Sequence, residues 1–187
     1  MKTYKIFAIN PGSTSTKVAL FEDAKECFNK NVTHEAAKLK EFKEISDQLI
    51  FRRDVVLGEV AAAGYTLDSV DAFASCGGGL LACEGGVYNI GDVLLNHAVT
   101  GANGVQHPAN LGAQLAKEFA RKYGKPAFVV NPPDVDEFHD LARITGIKDV
   151  YRTSHLHALN LKETAIRHAA SQGKKYEDCN FIVCHIG

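Results

Sequence analysis

The chain has no tryptophan, one methionine and no Cys-x-x-C pair among its five cysteines. Cys27, Cys76, Cys83, Cys179 and Cys184 form an odd set without the paired spacing of a zinc ribbon or a dithiol oxidoreductase. Free thiols in a reducing compartment are expected. Long apolar runs are also missing: none approaches the ~20 residues of a helical membrane span. No signal-peptide core with a cleavage site precedes the first strand-like run, so a cytoplasmic location is expected. Neither sign of charge dominates, since 21 Lys and Arg stand against 22 Asp and Glu, a formal net charge of −1. That balance gives no electrostatic reason to expect nucleic acid or an anionic membrane as a partner. What remains is an ordinary globular composition, and 187 residues suffice for one large domain or one domain plus part of another.

The stretch from Tyr4 to Phe21, YKIFAINPGSTSTKVALF, organises the rest. Two β-type runs, Lys5–Asn10 and Thr16–Phe21, flank Pro11-Gly12, a pair suited to a tight reversal. If the second strand begins near Ser13, alternation puts Ser13, Ser15 and Lys17 on one face, with Asn10 at the tip of the first strand. Two hydroxyls and an ammonium beside a glycine turn can hold phosphate oxygens. The run is not a Walker A loop, because no second glycine precedes Lys17. An edge hairpin with a wetted polar face is the competing reading, and spacing alone does not separate the two.

Glu26–Val32 reads as a third, antiparallel strand near an edge, and His34–Phe42 as a short helix or a loop. Asp47–Ala63 carries Leu49, Ile50, Val56, Leu57 and Val60 at helical spacing and stops at Gly64. Val70–Ser75 is an apolar strand running into Cys76-Gly77-Gly78-Gly79, which is either a flexible loop or a backbone pressed close to a ligand. A turn and a brief strand follow at Glu84–Tyr88. Asp92–Ala98 reads as a short helix capped by Asp92, and Pro108–Tyr123 as an amphipathic helix ending at Gly124. Pro126–Asn131 is a buried strand. Helices are predicted over Asp134–Ala142 and from Ser154 or His155 to Ser171, then a strand over Asn180–His185.

This order predicts an α/β fold with a mixed sheet, antiparallel at one side and parallel at the other. Asn10, Cys76–Gly79, Asn131 and His185 all fall at strand ends, where ligands bind in such sheets. Taken singly, several of these residues have blander readings. His107 is as easily a loop residue. His155 and His157 can share a metal-binding face only in extended backbone, not on a helix. Cys76 has no adjoining base, and Asp134, Asp136 and Glu137 can be an acidic first turn of a helix.

The run Asn10-Pro-Gly-Ser-Thr-Ser-Thr-Lys17 resembles the N-terminal signature of butyrate kinases, within the acetate kinase group of acyl-phosphate-forming kinases. The resemblance continues through Gly85-Gly86-Val87-Tyr88, His107-Pro-Ala-Asn-Leu-Gly112, Val135-Asp-Glu137 and Ala142-Arg-Ile-Thr-Gly146. It ends with His157-Ala-Leu-Asn160 and Ile182–Gly187, so it covers the whole chain with its motifs in order. It implies a ribonuclease H-like domain of the actin, Hsp70 and sugar-kinase type, the first of two such domains. It further implies residues 1–178 as an N-terminal acyl-kinase domain and 179–187 as the opening of a second, nucleotide-binding domain. The implied reaction is reversible phosphoryl transfer between ATP and a short-chain fatty acid, giving butyryl phosphate and ADP with Mg²⁺; acetate, propionate or a branched acid are alternative substrates.

By the same resemblance Asn10, Gly12, Ser13 and Ser15 are phosphate-binding, and Lys17, His107 and His157 are catalytic. His185 and Gly187 match the start of a second phosphate loop, and Cys76, Gly77, Gly78 and Gly79 a substrate loop. The chain departs from the family's pattern at two positions: Cys76 stands where an arginine is usual, and Asn131, the metal position, where an aspartate is common. An apolar acyl pocket is expected near Val87, Pro108 or Leu111. The length implies a fragment of a homo-oligomeric parent, itself inactive, or a degenerate homologue acting as an interaction module.

Overall fold

The computed structural model describes residues 2–186. Three antiparallel strands open it: β1 (Lys5–Pro11), β2 (Ser15–Glu22) and β3 (Lys25–Thr33). A short helix, α1 (Ala36–Leu39), and a long one, α2 (Gln48–Ala62), lead into β4 (Ala72–Ser75) and β5 (Val87–Asn89). Then come α3 (Asp92–Thr100), a 3-10 turn over Pro108–Asn110, α4 (Leu111–Tyr123) and β6 (Ala127–Val130). α5 (Asp140–Arg143) and α6 (Ala158–Ser171) follow.

One six-stranded sheet has the order β3-β2-β1-β4-β6-β5. β1, β4 and β6 are parallel, β2 and β3 antiparallel to their neighbours, and β5 pairs antiparallel with β6. Strand order and direction over β3-β2-β1-β4-β6 are those of a ribonuclease H-like domain. The predicted mixed sheet is therefore present, with one correction: antiparallel pairing closes both edges, because the chain returns through the Glu84–Gly86 turn to lay β5 beside β6.

The core lies on one face of the sheet. Alternation sends Phe7, Ile9, Val18, Leu20, Phe73 and Val129 to that face, all buried. α4 meets them with Leu111, Leu115 and Phe119, four residues apart, and with Ala116 beside them. Phe119 stacks on Phe73 at 5.7 Å between ring centroids, and Phe7 stands edge-on to both. The opposite face carries Ala8, Asn10, Lys17, Ala19 and Cys76, with α6 across it. No helix among the described residues is long and apolar enough to cross a membrane.

Four further expectations need correction. The predicted helix over Asp134–Ala142 shrinks to α5, because the segment after Pro132-Pro133 is tied down in extended form. Cys83 N–H donates to Asp134 O, Asp136 N–H donates to Cys83 O, and Ser154 Oγ donates to Val135 O. α6 starts at Ala158 rather than Ser154 or His155, since Leu156 N–H is taken by Pro133 O. Asn180–His185 forms no strand: Phe181 packs on Tyr176 and His168 instead of joining a ladder. α3 is entered from Gly91, leaving Asp92 in its first turn with no side-chain capping bond.

The aromatic contact between sheet and α4 is the packing centre. Phe73→Ala is expected to lower stability by about 3–5 kcal/mol, read as a reduced urea midpoint with a preserved slope.

Candidate functional site

Ile9, Ser75 and Val129 lie in register across β1, β4 and β6 with their side chains in the core. One residue further on, Asn10, Cys76 and Val130 must face the other way, side by side at the strands' carboxyl ends. β2 adds Lys17, paired opposite Asn10. These four residues and Leu159, Glu163 and Arg167 of α6 line a cleft of about 620 Å³. Cys76 Sγ donates to Asn10 Oδ1 at 3.1 Å. Burial pushes the Cys76 thiol up to about 11, so it stays neutral near pH 7.

The glycine loop is pressed against the start of α4. Gly79 has φ +72°, and a Cβ there would stand 2.5 Å from Asn110 Nδ2, so both conformation and space demand glycine. A Cβ on Gly112 would collide with Ser75 Oγ, which accepts the Gly77 N–H at 3.1 Å. The loop is therefore a close-packed turn rather than a flexible one. His107 precedes the 3-10 turn, and its Nδ1 accepts from Ala109 N–H at 3.1 Å. That bond commits one ring nitrogen to the chain and leaves the exposed ring with Nε2 for a ligand.

β2 begins at Ser15, so only Ser15 and Lys17 share a strand face; Ser13 sits in the turn itself. This corrects the expected row of three. The turn is held from behind by Arg52 of α2, which is fully buried. Its Nη1 donates to Gly12 O (2.8 Å), Ser15 O (3.2 Å) and Thr16 Oγ1 (3.2 Å). Nη2 donates to Ser13 O (3.1 Å), and Nε and Nη2 both donate to Gln48 Oε1. His34 closes the network: its N–H donates to Thr14 O at 2.8 Å, and its Nε2 shares a 2.8 Å hydrogen bond with Thr16 Oγ1. Burial, reinforced by the Arg52 charge, lowers the His34 pKa to about 4.

The remaining sequence-predicted residues fall in two places. Asn131 follows β6 with φ +41° and donates its N–H to Gly86 O. His157 and His185 meet edge to face, their ring centroids 4.9 Å apart, and both are exposed. No ring contact joins His107 to that pair among the described residues. Gly187 lies outside the described residues. The apolar residues Leu80, Leu81, Val93 and Leu94 line a separate pocket with Tyr88.

The donor set does not fit a magnesium ion held by protein alone. Among the described residues, no three His, Cys, Asp or Glu side chains converge. Asp136 is committed to Arg143 through two 2.8 Å bonds. Asp134 is buried, with Oδ1 accepting from Asn103 Nδ2 at 2.6 Å and Oδ2 unpartnered.

Sequence reasoning missed Arg52 and the α6 pair Glu163 and Arg167. The signal for Arg52 was its place on the Gln48-Arg52-Val56-Val60 stripe, a four-residue spacing that faces inward as a unit. For α6 it was the same spacing over Leu159, Glu163 and Arg167.

No protein-family model matches the chain. Among solved structures, acetate kinase from Porphyromonas gingivalis superposes with a TM-score of 0.57 at 14% identity, over 92% of this chain and 50% of that one. A propionate kinase from Francisella tularensis gives 0.54 at 12% identity, over 91% and 50%. The fold is thus that of one half of an acetate kinase-type chain. Sequence similarity narrows the class: the chain is 41% identical over 184 residues to butyrate kinase 1 of Clostridium acetobutylicum, covering 98% of this chain and 52% of that protein. It is 45% identical over 183 residues to a probable butyrate kinase of Phocaeicola vulgatus, covering 98% and 51%. The chain is homologous to butyrate kinases along nearly its full length, and it spans about half the length of the curated relatives it matches.

His34 supplies a pH test of the network behind the turn. Its folded pKa of about 4 lies below the 6.5 of the free side chain, so it is neutral when folded and takes up a proton on unfolding. Its contribution is complete above pH 6.5 and is lost as pH falls towards 4. The loss is expected on the order of 1–3 kcal/mol in urea titrations across that window. His34→Gln should flatten this part of the pH profile.

Proposed function

We propose that this chain forms one wall of a site for phosphoryl transfer between a nucleoside triphosphate and a short-chain carboxylate, butyrate being the favoured acceptor. The reading rests on one observation: Asn10, Lys17 and Cys76 converge at the strand ends of β1, β4 and β6 on one cleft. It draws further support from the similarity to butyrate kinases, whose names state that acceptor.

The carboxylate is ionised near neutral pH and needs no general base. Catalysis is then a matter of positioning and of neutralising charge on the transferring group's oxygens. Lys17 is the cation for those oxygens, and Ser13 and Ser15 donate hydroxyl hydrogen bonds alongside Asn10. His107 Nε2 donates from the 3-10 turn, while His157 and His185 form a second donor pair. Bound with ATP, magnesium would offset phosphate charge, and this chain assigns no carboxylate cage to it. Residues 1–178 act as the first domain and 179–187 as the opening of a nucleotide-binding one. Cys76 supplies no charge to the acceptor; Arg167 at the cleft wall, paired with Glu163 at 3.3 Å, is the cation nearest in role, whereas Arg143 is held by Asp136 through two 2.8 Å bonds.

Amide spectra of the chain should respond to butyryl phosphate at Asn10 to Lys17. Lys17→Met is expected to weaken that binding by about 10- to 100-fold, the range of one charge-assisted hydrogen bond. In a coupled ADP assay the 187-residue chain is expected to show no butyrate-dependent turnover. Turnover by the chain alone would overturn the half-site reading.

A further inference from the structure

Arg52 has a feature that packing does not account for. It is a fully buried guanidinium, and every acceptor it meets is neutral: three backbone carbonyls, a hydroxyl and the Gln48 amide. A buried cation without a carboxylate partner carries a desolvation cost that neutral acceptors offset only in part. A leucine or methionine would fill the same space in a helix–sheet interface without that cost. The five N–H groups nevertheless all find acceptors, and four of the bonds end on the β1–β2 turn.

The consequence follows from peptide geometry. In a trans peptide the C=O and the next N–H point in opposite directions, and the chain contains no cis bond among the described residues. Arg52 draws the carbonyls of Gly12 and Ser13 inward, so the N–H groups of Ser13 and Thr14 must point outward. His34 does the same to the Thr14 carbonyl. Neither the Ser13 nor the Thr14 N–H has a hydrogen-bond partner among the described residues, whereas Gly12 N–H closes the turn on Ser15 O. Successive free N–H groups on the outside of a turn form an anion-binding concavity. The net positive charge sits directly behind them, on the far side of the same peptide planes.

We propose that Arg52 is the positioning residue that makes the Gly12–Thr16 turn an anion receptor, by turning the Ser13 and Thr14 amides outward and backing them with a buried positive charge. The ligand class is a phosphate or phosphoryl dianion, and the inference rests on the phosphoryl-transfer reading above. Arg52 touches no ligand itself. It acts through the backbone of the turn, as a scaffold and as a fixed source of field.

The test uses inorganic phosphate and amide-resolved spectra of the full 187-residue chain. In the wild type, phosphate is expected to move the Ser13 and Thr14 N–H resonances downfield. Arg52→Lys keeps a cation but cannot fork across two carbonyls. It is expected to need at least ~10-fold more phosphate for the same amide shifts, a loss of ~1.4 kcal/mol. The β4 and α4 resonances should stay unmoved, separating positioning from collapse of the fold. Arg52→Met should abolish the response, and if that variant does not fold the lysine variant decides alone. A wild-type response that survives unchanged in Arg52→Lys overturns the role of Arg52 and leaves the phosphate site standing. A wild type that responds at Lys17 but not at Ser13 and Thr14 does the same. A wild type silent at all of these positions overturns the phosphate reading and the inference together.

Discussion

The register of three parallel strands is the constraint on which the molecule depends. Ile9, Ser75 and Val129 stand abreast, locked from below by Phe7, Phe73 and the Phe119 ring of α4. Because strand side chains alternate, that packing decides the opposite face as well: Asn10, Cys76 and Val130 emerge together one residue later. A slip of one residue in any of the three strands would exchange a core side chain for a cleft side chain. Core and cleft are therefore specified by the same register. The glycine loop after β4 inherits this precision, since it leaves the sheet at Ser75 and is held at once against Asn110 and Gly112.

Much of this was legible in the sequence, for identifiable reasons. Strands with clean alternation, such as Lys5–Pro11 and Ser15–Glu22, declare both their existence and their faces. α4 declares itself through apolar spacing and a glycine stop. The failures cluster where tertiary contacts override local propensity. Asp134–Ala142 has an acidic start suited to a helix, yet Cys83 and Ser154 hold its backbone extended from positions far away in the chain. Asn180–His185 is apolar enough for a strand, but a strand requires a neighbouring ladder, and here Phe181 finds an aromatic pair instead.

The candidate site divides the same way. Its hairpin and glycine loop were visible because unusual residues crowd into short runs. The partners that shape them were not, because each is an ordinary residue on a helix. Arg52 reads as one more surface arginine until Gln48, Val56 and Val60 are seen to share its face. Arg167 and Glu163 form an exposed ion pair that α6 carries to the wall of the cleft. Family resemblance pointed to the hairpin and the histidines, and geometry added what stands behind and across from them.

The grip on the β1–β2 turn uses four main-chain carbonyls and one side chain, the Thr16 hydroxyl. From Gly12 to Ser15, Arg52 and His34 recognise only carbonyl oxygens, which every residue type provides, so the shape of the turn is indifferent to the side chains displayed there and depends on the buried Thr16 hydroxyl alone. Shape and chemistry at this corner are thereby written on separate atoms. Ser13 and Thr14 can drift to other small residues without disturbing the corner's architecture, while a change at the distant helical position 52 would alter it under an unchanged loop sequence. Homologues with dissimilar hairpins but an arginine at this place on the helix would retain the same corner, and a comparison of loop residues alone would miss it.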